Sequence, residues 1–178
     1  MIWFVLSAAG WAADGSALRQ LPTDGQFVVE VGMDNAGIAV DVGKARVAVD
    51  LGYGSYIGAH LGGIRELTSK GSWGIDAVGN VGVAALLATP GVAVMGTGEL
   101  RGGVRDERHR ITGALVVPLV VSVDLPPALA VPIGLEAAVA AKAGPLWLGG
   151  RAQMGATLWT GGVAAVRTSA GVFVGVRR

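Results

Sequence analysis

The stretch Leu146–Trp159, LWLGGRAQMGATLW, constrains the fold more than any other part of the chain. Its alternate residues separate onto two unlike surfaces. Leu146, Leu148, Ala152, Met154, Ala156 and Leu158 make one, while Trp147, Arg151, Gln153 and Thr157, spaced by glycine, make the other. A side-chain period of two is that of an extended strand. At about 3.3 Å per residue, the stretch is long enough to cross a bilayer at a tilt of about 45°.

Composition narrows the choice. The chain is 52% hydrophobic and only 15% charged over 178 residues, enough for one domain. Its mean hydropathy is +0.56. No uncharged apolar run reaches the roughly 18 residues that a membrane helix needs. The 30 glycines argue against long helices. High hydropathy without helical spans leaves a β-barrel, or a soluble β-protein such as a sandwich-type binding module. A net charge of +1 gives no electrostatic footprint for nucleic acid. The absence of cysteine removes disulfides, thiolate metal sites and cysteine nucleophiles.

Residues 1–13, MIWFVLSAAGWAA, are apolar and end in small residues, with Gly10-Trp11-Ala12 placed as a cleavage site before Ala13-Asp14. They are expected to be a signal peptide or, failing that, an apolar extension. Residues 14–25 read as a polar lead-in that Pro22 and Gly25 keep irregular. The barrel is expected over residues 26–178.

Within that region the alternation recurs. Phe27, Val29, Val31 and Met33 share a face, and Ile38, Val40 and Val42 continue it with the opposite parity. The switch at Asp34-Asn35 has two readings. A bulge there gives eight strands of nearly uniform length. A hairpin pairing Met33 with Ala36 and Phe27 with Val42 gives ten, because Arg46–Arg65 then also divides near Gly52–Ser55. Eight is the favoured count and ten the alternative. Gly62–Gly71 (GGIRELTSKG) is expected to be a loop, Asp106–His109 a charged loop, and Pro118 an irregularity in its ladder.

The second face separates the two β architectures. In a soluble sandwich it meets water and carries Lys, Glu, Thr and Ser. Here it holds Gly and Ala, broken about once per strand by a charge. On the early strands these are Glu30, Asp41, Asp50 and Asp76; then come Glu99 and Arg101; the last strands add Glu136, Lys142, Arg151 and Arg167. Small residues with sparse charges of both signs suit a narrow lumen filled by side chains and locked by ion pairs. The apolar face would then meet lipid, with every backbone group satisfied around a ring without edges.

In this pattern, in strands such as LWLGGRAQMGATLW and VPIGLEAAVAAK, in the short turns and in the final apolar strand, the chain resembles the small outer-membrane β-barrels of Gram-negative bacteria, the class of the OmpA-like transmembrane domains. The resemblance implies a closed antiparallel up-and-down barrel in the outer membrane. It also implies lipid and lipopolysaccharide contact, and insertion by the barrel-assembly machinery. The end of the chain departs from the class pattern, with Val176-Arg177-Arg178 instead of a terminal aromatic residue and Phe173 on the inward parity. Trp147 and Trp159 sit at strand ends, as interface aromatics do, yet their parity is inward too.

Catalytic chemistry finds little support. His60 is expected to hydrogen-bond in the lumen, and His109 to be solvated in a loop. Asp50, Ser55 and His60 do not share one parity, as a hydrolase site would need. Gly96-Thr97-Gly98 lacks the remaining glycine of a nucleotide-binding turn. Arg105, Arg108 and Arg110 are candidates for contact with anionic lipid. The expected role is structural or interaction-based, without cofactor, metal or enzymatic activity, and the alternative is a passive, porin-like channel for small solutes if the ring is wider.

Overall fold

The computed structural model describes residues 27–33, 35–42, 45–53, 56–87, 91–122, 129–159 and 162–176; side chains at 105, 118–122, 129–132, 157–159, 162–165 and 167 lie outside that description. The segments expected as signal and lead-in, residues 1–25, are outside it as well.

The described elements are all strands: β1 (Phe27–Gly32), β2 (Asn35–Val42), β3 (Ala45–Gly52), β4 (Tyr56–Lys70), β5 (Trp73–Leu86), β6 (Gly91–Arg105), β7 (His109–Ser122), β8 (Leu129–Ala143), β9 (Leu146–Trp159) and β10 (Gly162–Val176). Each pairs antiparallel with its neighbours in sequence, and β1 pairs with β10, so the sheet closes into an up-and-down barrel.

The ring has ten strands, not the favoured eight. The chain reverses after Gly32, but through a wider turn than the Met33–Ala36 hairpin considered above. Phe27 lies opposite Val40, and Val31 opposite Ala36. The Met33 amide donates to the Ala170 carbonyl at 2.9 Å, which draws Met33 toward β10 and out of the β2 ladder. Asn35 turns inward and is buried beside Gly32. The second division falls between Gly52 and Tyr56, which face each other across β3 and β4.

Gly62–Gly71 is not a loop. Pairing between β4 and β5 continues to Lys70↔Trp73 and leaves Gly71-Ser72 as the turn. Gly71 has φ 59°, as a two-residue hairpin with glycine in its first position requires. The segment is polar because β3 ends its pairing at Ala45↔Gly63. Beyond that point both faces of β4 are exposed. The Pro118 irregularity is present: the β7–β8 ladder runs to Val116↔Gly134 and resumes only at Val120↔Ala130.

A walk from partner to partner around the ring leaves β4 at Lys70. It passes Trp73, Val104, Ile111, Val139, Gly150, Val172, Val31, Ala36 and Leu51, and regains β4 at Ile57. That displacement along one strand is the stagger that closes a tilted ring. After Lys70, each residue on the circuit is apolar or glycine, and all face outward. Among the described strand residues the outward face is charged only at Arg65 and Lys70, with His109 as the first residue of β7.

Candidate functional site: the lumen belt

The inward face buries polar and charged side chains alongside apolar ones. Glu30, Asp41, Asp50, Asp76, Glu99 and Glu136 are all buried there, together with Arg46, Arg101 and Arg151. They come together through cross-strand registers. Asp41 on β2 stands directly opposite Arg46 on β3, and Asp76 on β5 directly opposite Arg101 on β6. Glu136 on β8 reaches Arg151 on β9 at 3.7 Å. An acid thus precedes an arginine by one strand at three places around the ring, starting on β2, β5 and β8. Directly opposite side chains on one face have Cβ atoms about 4.5–5.5 Å apart, close enough to pair.

Side-chain hydrogen bonds hold each arginine. Arg46 donates to both carboxylate oxygens of Asp41. Arg101 donates to Glu99 at 2.7 Å. Arg151 donates to Glu30 at 2.5 Å and to the Gln153 side-chain oxygen at 3.0 Å. Each pair offsets part of the desolvation cost that burying a lone charge would impose. The remaining belt acid, Asp50, is held by a phenol and an imidazole: the Tyr56 hydroxyl donates to one oxygen at 2.6 Å, and His60 Nε2 sits 2.6 Å from the other.

On one side, apolar packing closes the space toward the end where the chain enters β1. Val28, Ala39, Ala140, Trp147 and Phe173 form a buried cluster. Gly149 makes room for the Phe173 ring, since a Cβ there would overlap Cζ. Arg110 lies over the Trp147 ring, 4.8 Å from its centroid.

The sequence-derived residues therefore sort as follows. Lys142 has the inward parity but stands exposed near the end of β8, away from the belt. Arg110 lies over the ring of the inward Trp147. Arg108 is exposed in the β6–β7 turn. The side chains of Arg105, Arg167 and Trp159 fall outside the described set, as does Ser55. Arg46 was not singled out from the sequence, although its even number shares the inward parity of Asp50; a lone basic residue beside a turn gave no stronger signal. Among the described residues no group of three or more His, Asp or Glu side chains is placed to hold a metal ion. Asp50 and His60 meet, but the hydroxyl beside them is the Tyr56 phenol, bonded to the acid and not to the imidazole.

No protein-family model and no curated protein matches the sequence.

Proposed function

We propose that this chain is an outer-membrane β-barrel protein of a Gram-negative envelope, with a structural or interaction role and a lumen closed by ion-paired side chains. The outer surface carries the reading. Val94, Leu100, Ile111, Leu135, Val139, Met154 and Val172, on five different strands, are all exposed, and no acid interrupts that face among the described strand residues. A water-soluble barrel would expose a wide apolar girdle at about 25 cal/mol per Å². In a bilayer the same girdle is the favourable surface. The chain then meets lipid, with lipopolysaccharide and the barrel-assembly machinery as its expected contacts.

Ten strands enclose a wider ring than eight, and this keeps a passive solute channel as the second reading. The belt of Arg46, Arg101 and Arg151 with their acids favours the closed form. Membrane fractionation with a heat-shift gel tests the location, and conductance in a planar bilayer tests the lumen. A membrane-bound, heat-modifiable chain giving no steady current is expected. A chain recovered in the soluble fraction would overturn the location, and a steady current would favour the channel.

A further inference from the structure

We infer that the free edge of β4 from Ile64 to Lys70 seats one anionic lipid headgroup, recognised through its phosphate; this rests on the membrane reading above. Pairing with β3 stops at Gly63, so among the described residues nothing covers that edge of β4. An uncovered edge presents backbone N–H groups at every second residue.

Two cations flank it. The β4–β5 register shifts between Glu66 and Thr68, and the extra residue, Leu67, switches which face the following side chains take. Arg65, opposite Ala77, and Lys70, opposite Trp73, are therefore both outward. Without the bulge Lys70 would point the other way. The nearest acid, Glu66, stands opposite the inward Asp76 and accepts from the Ser69 hydroxyl at 2.8 Å, so it does not compete on the outer face. Guanidinium, ammonium and edge amides together match a phosphate.

The surroundings select a lipid over a free anion. Ile64, Leu67 and Trp73 are exposed around the two cations, and a tryptophan at a strand end suits the headgroup level. The low wall of β3 beside the edge offers Val47, also exposed, to the acyl chains. Arg108 lacks these features, and its turn also carries Asp106 and Glu107.

Native mass spectrometry of the full chain in detergent, with phosphatidylglycerol or phosphatidylcholine added, tests the site. The wild type should retain phosphatidylglycerol preferentially. Arg65→Gln or Lys70→Gln should weaken retention about fivefold, and the double variant roughly thirtyfold, taking each cation near a membrane surface at its usual worth. Arg108→Gln should leave it unchanged. Equal retention by the double variant, or displacement of the lipid by inorganic phosphate alone, would overturn the assignment. A chain that floats with vesicles but holds both lipids equally would refute the headgroup seat alone. A chain that stays soluble would refute the membrane reading beneath it.

Discussion

Glu30 on β1 and Arg151 on β9 meet at 2.5 Å across the full width of β10. The residue that lies between them in the register is Gly171, opposite both Arg151 and Gly32. A Cβ at Gly171 would sit 3.0 Å from the Glu30 carboxylate. The pair therefore passes over a strand that offers no side chain at that point, and it ties the first strand to the last two where the ring closes.

Arg151→Gln should destabilise the barrel by about 3–5 kcal/mol, because Glu30 and Glu136 would be left buried without their shared cation. Arg108→Gln, in an exposed turn, should stay within about 0.5 kcal/mol. Urea unfolding in lipid vesicles, followed by tryptophan fluorescence, measures both. Equal midpoints would show that Arg151 holds nothing together.

Gly149→Ala should cost about 1–3 kcal/mol by overpacking, since the added methyl would overlap the Phe173 ring and the Val139 carbonyl. Gly98→Ala on β6 is the control, because nothing lies within 4 Å of a Cβ there. The same unfolding assay should separate the two variants clearly.

The Asp41–Arg46 pair predicts rescue by exchange. Arg46→Asp alone sets two buried acids opposite one another, whereas Asp41→Arg with Arg46→Asp restores opposite charges in the same register. The double variant should refold to a heat-modifiable barrel in higher yield than the single one, as read by the gel shift.

The β6–β7 turn should respond to acid. The amides of Arg108 and then His109 donate to the Asp106 carboxylate, at 2.6 and 2.5 Å, and hold its pKa below the ordinary value of 3.8. With the folded value depressed, the contribution to turn order is complete above the unfolded value. It is lost as pH falls through the lower folded one. Hydrogen exchange at the Arg108 and His109 amides, corrected for intrinsic rates and followed from about pH 5 to about pH 2, should show protection falling only toward the acid end. Asp106→Asn should flatten that profile.

Much of this architecture was legible from parity alone. The faces of β5, β6 and β9 follow the odd and even positions of WGIDAVGNVGV, VAVMGTGELRGG and LWLGGRAQMGA, and the belt acids Glu30, Asp41, Asp50, Asp76, Glu99 and Glu136 are buried on the inward parity. The strand count was not legible, because a hairpin and a bulge both invert parity; the choice shows only in the ladders that β1 forms with β2 and, far along the chain, with β10. The length of β4 was hidden for a related reason. Polar residues on both faces of a strand that outruns its neighbour read as a loop when only composition is seen. The partners of the belt charges were also out of reach. Glu30 finds Arg151 only because β1 and β10 close the ring.

On the membrane reading, the even-numbered face of β6 meets lipid, while Met95, Thr97 and Glu99 on its odd-numbered face point inward. The chain has no cysteine, so single cysteines at Val94, Met95, Thr97, Gly98, Glu99 and Leu100 can each carry a spin label in vesicles. Accessibility to oxygen should be high at Val94, Gly98 and Leu100 and low at Met95, Thr97 and Glu99. Uniform accessibility along β6, or strong collision with a water-soluble relaxation agent at Val94, Gly98 and Leu100, would contradict the account.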